Sequence, residues 1–208
     1  QAEAEGGAQG EREAQADAER RAQEEAEAQA RAEGLWTPHL PVAHGGKGLG
    51  IMGMCALFRE MGRSMVGARV FNCDAPDQGN MDLLLSSASE VLQKKYLAPL
   101  AAGEITSAFC MTEPAPGAGA DPSNLRTTAK RDGDSWVIDG HKWYSTGAGL
   151  SSFLIVMART SDDPRLGASM FLVDRHAPGV EHVRDFAVMG PPLLAHREAE
   201  MKFHGVRV

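Results

Sequence analysis

The residues of this chain best suited to chemistry lie in two stretches. The first is Phe109-Cys110-Met111-Thr112-Glu113-Pro114, followed by a small-residue loop from Ala115 to Ala120 and by Asp121. An apolar, β-prone tripeptide that runs into a hydroxyl, a proline and glycines suits backbone that must approach a flat ligand closely. The second is Lys142-Trp143-Tyr144-Ser145-Thr146-Gly147-Ala148, which repeats the order: aromatic surface, then hydroxyls, then small residues. Together the two could wall a dry slot. Both present aromatic surface and hydroxyls that a flat, polar-edged ligand could use.

Other reactive residue types do not assemble into a site. The cysteines at 55, 73 and 110 match no zinc or redox spacing and suit a reducing compartment. Cys110 reads as a small buried apolar residue and not as a nucleophile. The cluster His44-Gly45-Gly46-Lys47-Gly48-Leu49-Gly50 lacks the preceding strand and the Lys-Ser/Thr ending of a phosphate loop, so it reads as a turn between helices. The net charge of −7 is concentrated in residues 1–33, whose ten acidic and four basic residues leave the remainder near neutral. Nucleic-acid binding therefore has no electrostatic footprint. No run approaches the roughly 20 apolar residues of a membrane span.

The elements that must position the two stretches follow from periodicity. Residues 1–33 contain eleven alanines and no larger aliphatic residue, which predicts a solvated helix that frays to disorder at its glycines. A partial helical domain is expected over 34–104. Met54, Leu57, Phe58 and Met61 form one face of a helix from Ile51 to Met65. Asn80 is expected to cap a helix starting near Met81, and Ser89 a second one that Pro99 and Gly103 end. From Ile105 the period changes to that of strands, and 105–208 is expected to form a β domain. Asp132-Gly133-Asp134 and Asp139-Gly140 are read as hairpin turns. The run Phe153 to Ala158 suits a strand covered on both faces. Further strands are expected at Ser169–Asp174, Val180–Phe186 and Ala199–Val208. The fold class is α+β, with an antiparallel barrel or sandwich as the middle domain.

From about Gly34 to Val208 the ordered motifs resemble the acyl-CoA dehydrogenase family. Phe71-Asn72-Cys73-Asp74-Ala75-Pro76-Asp77-Gln78-Gly79-Asn80 resembles a signature of its branch of members ten and eleven. The resemblance implies FAD as cofactor, with Phe109, Cys110, Met111, Thr112, Trp143, Tyr144 and Ser145 on the flavin-binding strands. It implies α,β-dehydrogenation of an acyl-CoA, with hydride passing to flavin N5 and electrons to an electron-transferring flavoprotein. Glu113 is expected to be structural. The family's catalytic base and main oligomer interface belong to a C-terminal helical bundle that would begin where this sequence stops, so the chain reads as a truncated form, with homo-oligomers expected for a full-length form. Ala120 stands where many members carry a serine that holds the acyl-CoA, which weakens that contact. A bacterial protein of this kind would be cytoplasmic, and a eukaryotic one mitochondrial or peroxisomal. The rival expectation is a non-catalytic β module whose acidic helical tail binds a partner.

Overall fold

The structure, a computed structural model, describes residues 2–119, 121–161, 163, 167–186, 188 and 197–208. It divides into two compact units, residues 1–74 and 75–208.

In the first unit, helix α1 spans Ala2–Ala32. Without an apolar stripe it relies on local side-chain pairs such as Arg20 to Asp17 (2.8 Å) and Gln23 to Glu27 (2.7 Å). Just past its end the Arg31 guanidinium lies over the Trp36 ring at 3.5 Å. Helix α2, Ile51–Met61, buries Met54 and Met61 but leaves Phe58 exposed, so only part of the predicted stripe is covered. It ends at Met61, four residues before Met65, with Gly62 as its C-cap. Helix α3, Gly67–Val70, follows, and a side chain at Gly67 would collide with the Met61 carbonyl.

The second unit opens with helix α4, Asp77–Ser87. Asn80 is not its cap. It sits inside the helix, buried, and donates from Nδ2 to Ser107 Oγ (2.8 Å), while Asp77 Oδ1 accepts from Ser107 N (2.7 Å) and Ser107 Oγ (2.5 Å). Both polar residues therefore serve a tertiary joint, which local sequence cannot show. Ser89 does cap α5, Glu90–Leu92, accepting from Leu92 N–H. The chain then makes a π-turn over Gln93–Leu97 and continues as α6, Ala98–Ala102. Pro99 does not end the helix: it follows directly on the π-turn within one helical run, and Gly103 at φ +74 ends it.

Among the described residues, seven strands form one curled sheet: β1 Ser107–Cys110, β2 Thr128–Asp132, β3 Ser135–Thr146, β4 Phe153–Arg159, β5 Ala168–Asp174, β6 Val180–Phe186 and β7 Glu198–Arg207. The order is β1-β4-β2-β3-β7-β6, with β5 on β4. The sheet is mixed and not purely antiparallel, because β1 runs parallel to β4 and β2 meets β4 in a parallel bridge. β4 is the spine. Leu154, Val156 and Ala158 point into a core shared with Cys110, Ile138, Met201, Phe203 and Val206, while Phe153 packs on Tyr96 with ring centroids 4.7 Å apart.

The hairpin at Asp132-Gly133-Asp134 is present, with Asp132 opposite Ser135. Asp139-Gly140 is not a turn. It lies within β3, twelve residues long, at a register shift between Ile138 and Gly140. Glycine is needed there because a Cβ would collide with the Thr127 side chain, so the residue marks a close approach within a strand and not a reversal.

Candidate functional site

The two stretches singled out above are brought side by side. β1 ends at Cys110, and the chain beyond it is irregular through Thr112. There the Thr112 carbonyl accepts from Trp143 N–H at 3.0 Å, which joins the first stretch to β3.

Beneath this junction lies a buried ion pair. Lys142 is fully buried, and its Nζ donates to Glu113 Oε1 (2.9 Å) and to the Met111 carbonyl (2.8 Å). Glu113, 3% exposed, also accepts from the peptide N–H groups of Ala118 (3.2 Å), Arg126 (2.6 Å) and Thr127 (2.8 Å). A side chain at Gly117 would run into this carboxylate, so the glycine lets the loop wrap it. Burial pushes the Glu113 carboxyl up, but hydrogen bonds from Thr127, Arg126 and Lys142 outweigh it and hold the group below its ordinary value. Burial also depresses Lys142, and Glu113 offsets part of that effect. Four donors leave Glu113 committed to structure.

The remaining candidates face different ways. Phe109, Met111 and Thr112 are half-buried, and Cys110 is buried in the core. Burial pushes the Cys110 thiol up to about 11, against lesser lowering by Ser145, Lys142 and Arg175. Trp143 is half-buried, and Tyr144 is 48% exposed. Ser145 lies on the covered side of the strand beside Cys110, 1% exposed, and its Oγ has no hydrogen-bond partner. Ala120 lies outside the described residues.

The inward turn of Ser145 has a geometric cause. Lys142 pairs with Met201 and Ser145 with Ala199, so three steps along β3 match two along β7. In a regular strand residues three apart face opposite ways, but this bulge places Lys142 and Ser145 both inward. Tyr144 absorbs the extra residue at φ +48, a left-handed conformation rare for an aromatic residue. Its ring stacks on Phe186 (4.9 Å, 18°) and meets Trp143 edge-on (5.1 Å, 63°).

Two features fit a flat, polar-edged group. Trp143, Tyr144 and Phe186 give partly open aromatic surface next to Thr112. The enclosed Ser145 hydroxyl is an orphan donor, and leaving such a group unpaired costs about 1–3 kcal/mol.

Among the described residues there is no group of three or more His, Cys, Asp and Glu side chains that could hold a metal ion, and no helix is long and apolar enough to cross a membrane. Sequence reasoning missed the Lys142 pairing and the role of Phe186. Lys142 was visible in the motif, but its partner lies 29 residues upstream, and nothing local marks Phe186.

A curled mixed half-barrel preceded in the chain by helices, with two aromatic-to-hydroxyl segments joined at one edge, defines a middle domain with an N-terminal helical region. Sequence comparison gives that architecture its family. The profile of the acyl-CoA dehydrogenase N-terminal domain matches residues 6–104, and that of the acyl-CoA dehydrogenase middle domain matches residues 108–204. The chain belongs to the acyl-CoA dehydrogenase family. It is 40% identical over 184 residues to acyl-CoA dehydrogenase family member 11 of Pongo abelii, covering 86% of this chain and 23% of the relative. A Mycobacterium abscessus structure assigned as an acyl-CoA dehydrogenase superposes with a TM-score of 0.84 at 38% identity, over 89% of this chain and 46% of the other. A glutaryl-CoA dehydrogenase from Mycobacterium smegmatis, solved in complex with FADH2, gives 0.68 at 28% identity, over 89% and 45%. The chain thus spans about a quarter of the curated relative and under half of the solved structures.

Proposed function

We propose that this chain forms the flavin-holding part of an FAD-dependent acyl-CoA dehydrogenase. The observation that carries the reading is the Trp143 N–H to Thr112 carbonyl bond, which unites two aromatic-to-hydroxyl segments into one edge. It is supported by family membership and by the FADH2 complex of a structural neighbour. In this reading Met111 and Thr112 offer backbone and hydroxyl donors to the polar edge of the ring. Trp143 supplies the flat apolar wall that keeps water off it, and Tyr144, stacked on Phe186, shapes the strand beside it. Ser145 gains the partner it lacks, and Cys110 holds β1 in place from the core side while Phe109 lies on the opposite face of the strand.

When bound, FAD supplies the hydride acceptor for α,β-dehydrogenation of an acyl-CoA thioester, with an electron-transferring flavoprotein as the next acceptor. The α proton needs a free carboxylate. Glu113 does not qualify, since four donors hold it, so the base is assigned to a part of the enzyme other than these residues. Membership of an enzyme family weighs against the partner-binding module as an alternative.

The test is a titration of the purified chain with FAD, following flavin fluorescence and absorbance at about 450 nm. Saturable quenching with a resolved absorbance band, weakened by Thr112→Val and Ser145→Ala, is the expected result. Ser145→Ala should cost flavin affinity while leaving the ligand-free fold as stable as before or more so, because it removes an unpaired hydroxyl. Equal affinity in both variants and wild type would overturn the reading.

A further inference from the structure

The bulge in β3 has a counterpart across the sheet. β6 shifts register between His182, opposite Met201, and Arg184, opposite Glu200. The β3 shift falls at the same level of β7, between Met201 and Ala199. Two bulged strands therefore flank one residue, Glu200, which is 8% exposed and accepts from Arg184 Nε (2.6 Å) and pairs with His141 Nε2 (2.8 Å). Strands separated by a third lie about 10 Å apart, yet the Tyr144 and Phe186 rings stack at 4.9 Å. The rings lean toward each other across β7, and the Arg184 guanidinium lies 4.8 Å from the Phe186 centroid. A left-handed aromatic residue persists only where its surroundings hold it. Here the stack and the Glu200 anchor do so.

We propose that Tyr144 is a positioning residue. Its stack on Phe186, braced by Arg184 and Glu200, holds the β3 bulge and so keeps Trp143 bonded to Thr112 and Ser145 turned inward. The contribution acts through the backbone conformation at 144 and not through ring contact with a ligand. This rests on the flavin reading only for its functional consequence, since the structural consequence can be measured without ligand.

The experiment compares Tyr144→Ala, Tyr144→Gly and Phe186→Ala in the full chain. The first readout is amide hydrogen exchange at Trp143 in the absence of flavin. Alanine at 144 removes the stack but keeps the left-handed penalty, whereas glycine removes both. Tyr144→Ala and Phe186→Ala should speed exchange roughly two- to tenfold, the worth of one aromatic pair as an opening equilibrium, and Tyr144→Gly should not. Unchanged exchange in the first two variants, or equal acceleration in all three, overturns the proposal. The second readout is lumiflavin and FAD affinity, which should fall in the alanine variants and be retained in Tyr144→Gly. If Tyr144→Gly loses affinity as fully as Tyr144→Ala, the ring itself touches ligand and the positioning role is wrong. If exchange follows the expected order but wild type binds neither flavin, the positioning role stands and the flavin reading falls.

Discussion

Replacing Lys142 with methionine tests the buried ion pair that underlies the candidate site. The substitution keeps most of the side-chain volume, removes the positive charge and takes away the ammonium donor at 2.8 Å from the Met111 carbonyl and at 2.9 Å from Glu113 Oε1, which keeps the Thr127 N–H. Breaking a buried pair by removing one partner costs about 3–5 kcal/mol, because the remaining charge is left uncompensated. Three peptide N–H groups still hold the Glu113 carboxylate, which places the expected loss near the lower end, about 3 kcal/mol. With a urea dependence of about 2 kcal/mol/M, the unfolding midpoint should fall by about 1.5 M. Urea titration followed by circular dichroism at matched protein concentration measures it. The double variant Glu113→Gln/Lys142→Met should lose less than the sum of the single changes, since removing both charges spares the stranded one. A midpoint shift under about 0.3 M for Lys142→Met, or strict additivity in the double variant, would refute the claim that this pair holds the junction.

The remaining predictions concern the same neighbourhood. Glu113 is held below its ordinary value of 4.5, so its stabilising contribution is complete above that pH and is lost as pH falls toward the folded value; urea midpoints taken down to about pH 3 should drop, and drop less in Glu113→Gln. Gly140→Ala forces a Cβ into Thr127 and should lower stability by about 1–3 kcal/mol, read by the same unfolding titration, with a neutral result excluding the close approach. Native protein should expose one thiol to a water-soluble alkylating reagent, that of Cys55, and all three in urea, because Cys73 and Cys110 are buried and the Cys110 thiol is pushed up to about 11.

Elements were legible wherever one face of one segment decides its structure. The run from Phe153 to Ala158 is a doubly covered strand because every position meets apolar neighbours, and β6 falls where the sequence places it. Ser89 caps its helix through a bond to a residue three positions on. Non-local demands were not legible. Asn80 has the composition of a cap, but its partner is Ser107. Asp139-Gly140 has the composition of a turn, but the glycine makes room for Thr127. At the site, the motif pair was readable as two edges that belong together. The bulge was not, because its left-handed residue is a tyrosine and carries none of the usual glycine or asparagine signal.

The Glu113–Lys142 pair also constrains the order in which the chain can be completed. Its members are 29 residues apart, with β2 and the turn of the β2–β3 hairpin between them and Lys142 on β3 itself. While a ribosome is still releasing the segment before residue 142, Glu113 has its loop amides but no cation, and the Met111-Thr112 edge has nothing to rest against. The earlier motif must wait for the later one, so a nascent chain paused between them presents an unfinished ledge.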